Sequence, residues 1–179
     1  MWLYNIGIFI YVKCIAAASC RHAKARLWYE GRKGLFERME SAIAPSDRVV
    51  WVHAASLGEF EQGRPVIERI RERYPQYKIL LTFFSPSGYE IRKNYEGADY
   101  VFYLPADRPA SVRRFLDIAH PEVAIFVKYE FWLNMGRPHP SRCPYGPDYG
   151  AQGCMDRNGC RAFVQRIYFP LENVLGKMA

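Results

Sequence analysis

Residues 48–127 hold four short runs of β-branched and aromatic residues, separated by turns and by stretches of helical periodicity. No other feature limits the fold as strongly. The runs are Arg48 to Ala54, Lys78 to Phe84, Asp99 to Tyr103 and Val123 to Val127. Beyond the charged residue that opens the first three, they are mostly apolar at consecutive positions rather than at every second one, which predicts strands buried on both faces. Between the first two runs, Val66, Ile67, Ile70 and Tyr74 recur at helical spacing, with Glu68, Arg69, Glu72 and Arg73 outside and Pro75 as the stop. Pro86, after a Ser85 that can cap, starts a helix expected to reach about Glu96-Gly97, and another is expected over residues 108–118. The pattern predicts an α/β fold with a Rossmann-like, doubly wound parallel sheet.

Ligands of such sheets bind beyond the carboxyl ends of the strands. The turns of interest are therefore 54–59, 84–88, 103–107 and 128–134. They hold Ser56, Gly58, Glu59, Ser85, Ser87, Gly88, Asp107, Lys128, Glu130 and Asn134. No G-x-G-x-x-G or Walker sequence is among them, so neither a dinucleotide nor a P-loop nucleotide site is indicated. On spacing alone, Glu59 reads as a carboxylate placed at a helix N-terminus by the dipole. Ser56, Ser85 and Ser87 read first as turn and cap residues, which need no ligand.

The formal charge is +7, but it is unevenly spread. Residues 41–133 hold twelve basic and twelve acidic side chains, so the excess belongs to the two ends. A neutral central block argues against a nucleic-acid partner, which calls for a basic stripe on the folded face. Residues 2–20 are mostly apolar, interrupted by Asn5 and Lys13, and are followed by Arg21, His22, Lys24, Arg26, Arg32 and Lys33. A secretory signal has the opposite order. The expectation is a membrane-anchor helix over residues 1–20 and a basic juxtamembrane segment over 21–47. That segment would face the cytoplasm and touch anionic lipids. A buried first helix of a soluble domain is the alternative.

Four ordered stretches are similar to one family: Trp51-Val52-His53-Ala54-Ala55-Ser56-Leu57-Gly58-Glu59, Thr82 to Gly88, Tyr103-Leu104-Pro105-Ala106-Asp107, and Glu130-Phe131-Trp132-Leu133-Asn134. With Glu30-Gly31-Arg32-Lys33-Gly34, they make residues 1–134 resemble the N-terminal domain of 3-deoxy-D-manno-octulosonic acid (Kdo) transferases. The resemblance implies an inverting glycosyltransferase of GT-B architecture, two Rossmann-like domains facing across a cleft. It would transfer Kdo from CMP-Kdo to a lipid A precursor at the cytoplasmic face of the inner membrane, with no metal or other cofactor. The matching position makes Glu59 the catalytic base. Acceptor contacts are expected from Ser56, Gly58, Ser85, Ser87, from Arg32 (with Lys33) toward phosphates, and from Glu130 as a positioning group. Glu130 is otherwise an ion-pair partner for Lys128 or Arg92.

The domain is expected to span residues 48–134, with an irregular tail over 135–179. Residues 135–160 contain four Pro, five Gly and three Cys without a hydrophobic period. They depart from the family's pattern, which continues into a donor-binding domain, and a shifted reading frame near residue 134 is the expected origin. The Cys spacings there match no common zinc module, so no metal site is expected. The 179-residue chain alone is expected to lack transfer activity. The competing reading is a non-catalytic, membrane-associated module that binds a lipid or a protein partner.

Overall fold

The computed structural model describes residues 1–127 and 132–135. Glu130 and the tail beyond residue 135 lie outside the described residues. The elements, in chain order, are α1 (Trp2–Ala18), α2 (Ala23–Glu30), α3 (Leu35–Ala42), β1 (Val49–Ala54), α4 (Leu57–Arg73), β2 (Lys78–Phe83), α5 (Pro86–Arg92), β3 (Tyr100–Tyr103), α6 (Pro109–Ala119) and β4 (Pro121–Phe126).

The four strands form one parallel sheet in the order β3-β2-β1-β4. All six residues of β1 are buried, as a central strand of a doubly covered sheet requires. Alternate residues serve opposite layers. Val50, Val52 and Ala54 pack with Phe60, Ile67 and Ile70 of α4. Val49 and Trp51 pack with Leu35 and Met39 of α3 and with Val112, Phe115 and Ala119 of α6. The stretch 21–47 thus carries two helices, and Trp28, Leu35, Met39 and Ile43 are buried against the rest of the domain. Arg32 apart, the basic side chains remain on the outside of a stretch whose apolar residues complete the core.

The second predicted helix is shorter than its sequence pattern implies, because α5 ends at Arg92. Tyr95 then turns inward and meets the Phe60 ring edge-on, with centroids 4.9 Å apart. In the other direction, α4 begins at Leu57, well before Val66, where its apolar periodicity becomes readable.

Helix α1 is 17 residues long. At ~1.5 Å per residue it is roughly 25 Å in length, less than the ~30 Å hydrocarbon thickness of a bilayer. Among the described residues no helix is long and apolar enough to cross a membrane. One stripe of α1 (Tyr4, Asn5, Ile8, Val12, Ile15 and Ala16) is half-buried, and the other side is open. Trp2 and Leu3 are 73% and 74% exposed, and Phe9 and Ile10 are also exposed.

Close packing of α4 on the sheet rests on Gly63, where a Cβ would lie 2.7 Å from Val127 Cγ2. The Val127 side chain is buried and stiff at χ1, so it has little room to yield. Gly63→Ala is expected to destabilise the domain by about 1–3 kcal/mol. Urea unfolding checks this, and an unchanged midpoint would show that α4 is free to shift outward.

Candidate active site

The chain makes β1, β2 and β3 in one direction across the sheet, then places β4 on the far side of β1. The crevice where that reversal occurs is the usual ligand position in open α/β sheets. Two loops meet beside it, because the Ser85 N–H donates to the Ala55 carbonyl at 2.7 Å. Ser56, Gly58 and Glu59 follow β1, while Ser85 and Ser87 follow its neighbour β2.

Glu59 occupies the first turn of α4 and is half-buried. Its Oε2 accepts the Ala55 N–H at 2.6 Å. Among the described residues Oε1 has no protein partner. Ser56 is the N-cap of α4, with no hydrogen bond from its side chain to the helix. The spacing Ser-Leu-Gly-Glu is that of a capping box, but the carboxylate reaches one residue further back than in that motif. The helix end and the Ala55 amide therefore hold the carboxylate at the lip of the sheet with one oxygen free. Gly58 is exposed, and a Cβ there would meet nothing within 4 Å.

Ser85 caps α5, accepting from the Ser87 N–H at 3.3 Å, and the two hydroxyls lie 3.0 Å apart. Both serines thus have local partners; Ser87 is exposed at the crevice and Ser85 is half-buried. Arg92, one of the cations considered for Glu130, pairs with Glu61 at 2.6 Å, and Glu130 lies outside the described residues.

Arg32 reaches the same end of the sheet from the turn after α2. Its Nε donates to the Leu104 carbonyl at 2.8 Å, Nη1 to Trp28 at 3.0 Å and Nη2 to Phe84 at 2.9 Å. The guanidinium lies over the Trp28, Tyr103 and Phe84 rings, at 3.8, 4.8 and 5.1 Å from their centroids. Burial lowers its pKa from the ordinary arginine value. Three carbonyl dipoles and three ring faces nevertheless hold the cation in place, with no carboxylate partner among the described residues. Its first role is to clamp the ends of β2 and β3 to α2, with two of its five N–H groups left over.

His53, inside the first motif, is fully buried beside the crevice. Its Nδ1 lies 2.9 Å from Thr82 Oγ1 and 3.1 Å from the Thr82 carbonyl, and Trp51 Nε1 donates to the same hydroxyl at 2.8 Å. Among the described residues Nε2 has no partner, and the ring faces Phe126 and Trp132. Desolvation pushes its pKa down to about 3, with Arg32 contributing in the same direction.

A second polar cluster joins Asp107 and Asn134, both among the turn residues singled out in the sequence, to Tyr4 and Asn5 of α1, which the sequence had not connected with them. Asp107 is 1% exposed, and its Oδ2 accepts from Tyr4 Oη at 2.6 Å and from the Asn134 N–H at 3.0 Å. Oδ1 accepts from the Met135 N–H at 2.9 Å. Asn134 Nδ2 donates to the Asp107 carbonyl at 2.6 Å and to Asn5 Oδ1 at 2.9 Å. Burial, then the Asp107 carboxylate, raises the Tyr4 phenol far above its usual range, so it stays a donor. The available signal was the pair of polar residues, Tyr4 and Asn5, set in an otherwise apolar run.

Comparison with known proteins follows the same residues. The sequence pattern described as 3-deoxy-D-manno-octulosonic-acid transferase (kdotransferase) matches residues 30–139. A 3-deoxy-D-manno-octulosonic acid transferase of Haemophilus influenzae is 31% identical over 96 residues, which are 53% of this chain and 22% of the relative. The enzyme of the same name from Aquifex aeolicus is 38% identical over 87 residues, 48% of this chain and 24% of the relative. A probable mitochondrial one from Arabidopsis thaliana is 33% identical over 96 residues, 53% of this chain and 22% of the relative. The matched part spans less than a quarter of the length of each of these three curated relatives.

His53 carries a pH prediction. Above pH 6.5 its imidazole is neutral in folded and unfolded chain alike. As pH falls from there toward about 3, the unfolded chain binds the proton first, so folding stability is lost with acid. The expected slope from this one group approaches ~1.4 kcal/mol per pH unit. Urea midpoints measured on either side of pH 5 should show that slope shrink in His53→Gln.

Proposed function

Because the chain belongs to the 3-deoxy-D-manno-octulosonic-acid transferase family, we propose that residues 1–135 form the acceptor-side half of an inverting, two-domain GT-B glycosyltransferase. A sugar hydroxyl on a lipid A precursor attacks the anomeric carbon of Kdo. The bond from that carbon to the CMP phosphate oxygen breaks, and Glu59 takes the hydroxyl proton. The donor is CMP-Kdo, bound mostly by a second domain, and the transfer needs no metal or other cofactor.

The carrying observation is the place of Glu59, at the carboxyl end of β1, beside the reversal of strand order, with Oε1 uncommitted. A general base must reach the proton it removes and must itself be fixed. The Ala55 amide supplies the second condition and the open crevice the first. Gly58 leaves space for an acceptor to approach the backbone, and Ser56, Ser85 and Ser87 offer hydroxyls around it. Arg32 can turn its remaining N–H groups toward an acceptor phosphate, and Glu130 serves as a positioning carboxylate.

The exposed apolar side of α1, followed by Arg21, Lys24 and Arg26, supports attachment to the cytoplasmic face of the inner membrane. A helix too short to cross, with one stripe held by the domain, lies more naturally in the headgroup plane, where basic residues meet anionic lipids.

Glu59→Gln in a chain carrying both domains is expected to lower kcat by about 10²–10⁴-fold. Gln retains an acceptor for the Ala55 N–H, so acceptor binding should survive, and unchanged turnover would remove Glu59 from the chemistry. Gly58→Ala should leave stability equal or higher, by up to ~1 kcal/mol, because its Cβ meets open space. The same change should raise KM for the lipid acceptor and leave that for CMP-Kdo unaltered. Equal effects on the two KM values would place the acceptor elsewhere.

A further inference from the structure

We infer that Asp107 is a positioning residue that couples the seat of α1 to the segment Trp132–Met135, so that contact with a lipid surface at α1 tightens the crevice side of the sheet. The inference rests on the membrane reading above for its ligand, a lipid surface, and on the geometry for its mechanism.

Three segments far apart in the chain meet on this one carboxylate. Tyr4 comes from the first turn of α1, Asp107 from the turn between β3 and α6, and Asn134 and Met135 from the chain after β4. No basic side chain pairs with Asp107 among the described residues. Among the described residues, the buried carboxylate's donors all come from the two segments it joins. Loss of one donor leaves a charge short of partners in a place water does not reach, which weakens the remaining bonds as well. Such an arrangement transmits displacement, because α1 cannot move without disturbing the amides of Asn134 and Met135.

The stretch it holds borders the site. Trp132 stands against Phe84, with centroids 4.8 Å apart, and faces the His53 ring. Tyr11, further along α1, stacks on Phe84 at 6.5 Å and meets Trp28 edge-on at 5.8 Å. The helix thus touches the crevice wall in two places, by hydrogen bonds through Tyr4 and Asn5 and by ring contact through Tyr11. Its opposite side presents Trp2, Leu3, Phe9 and Ile10 to the outside. A ligand that holds that side favours the seated position of α1, and by linkage whatever the seated position orders.

The test is amide hydrogen exchange at Asn134 and Met135 in the 179-residue chain, with and without phosphatidylethanolamine–phosphatidylglycerol vesicles, beside Tyr4→Phe. That variant removes one hydroxyl and keeps the ring. In wild-type protein, vesicles should slow exchange at the two amides at least threefold, although neither amide is proposed to touch lipid. Without vesicles, Tyr4→Phe should speed it severalfold, and vesicles should then have less than half their wild-type effect. A residue that merely stabilises the fold would speed exchange across the core strands too, so Val50 and Leu81 serve as controls. Flotation with the vesicles reports separately on attachment. If the chain floats and the two amides are indifferent to vesicles, the coupling is overturned while the membrane reading stands. If it does not float, the membrane reading fails, and with it the lipid as ligand. Tyr4→Phe exchange indistinguishable from wild type overturns the coupling in either case.

Discussion

The crossing of parallel strands leaves carbonyl groups and open crevices at one end of the sheet, and those carbonyls have to be met. In this protein a guanidinium meets three of them. Arg32 joins the end of α2 to the ends of β2 and β3 through its Nε and both Nη nitrogens, and among the described residues no carboxylate pairs with it. A lysine at the same place has neither the planar fork nor enough directed donors to reach all three. Because the cation is packed between Trp28, Phe84 and Tyr103, the wall of the crevice is both rigid and positive. Everything proposed for the site assumes that wall.

Two unlike strategies for buried polar groups sit side by side. His53 is kept neutral, its Nδ1 facing Thr82 within a chain that includes Trp51. Asp107 is anchored by directed donors from the two segments it links, with no opposite charge paired to it among the described residues. Both solutions are specific rather than strongly stabilising, since buried polar networks select one arrangement among several compact ones. Both also lie at the ligand end of the sheet, where arrangement matters more than bulk stability.

Glu59 combines a capping role with the chemistry proposed for it. A carboxylate at a helix N-terminus is favoured by the dipole, and the Ala55 amide fixes one of its oxygens. The local fold therefore has a reason to keep a carboxylate there whether or not a substrate is present. The same restraint gives the proposed base a defined direction.

Much of the fold was legible in the residues. Continuous apolar runs at 48–54 and 78–84 have no stable alternative to a doubly covered sheet, because a strand with a wet face needs alternation. The motif ending at Glu59 also placed the principal carboxylate at a strand end, since a strand-turn-helix unit allows its turn no other position. Periodicity did not disclose that α5 stops at Arg92 so that Tyr95 can fill space beside Phe60, or that residues 23–42 complete a core which their charges seemed to exclude. Local pattern thus determined the parallel α/β class, the strand ends and the identity of the turn residues. Strand order, the clamp made by Arg32 and the meeting of Tyr4, Asp107 and Asn134 were decided by tertiary structure alone. These are contacts between residues up to 129 positions apart, and such pairings leave no periodic trace in the chain that makes them.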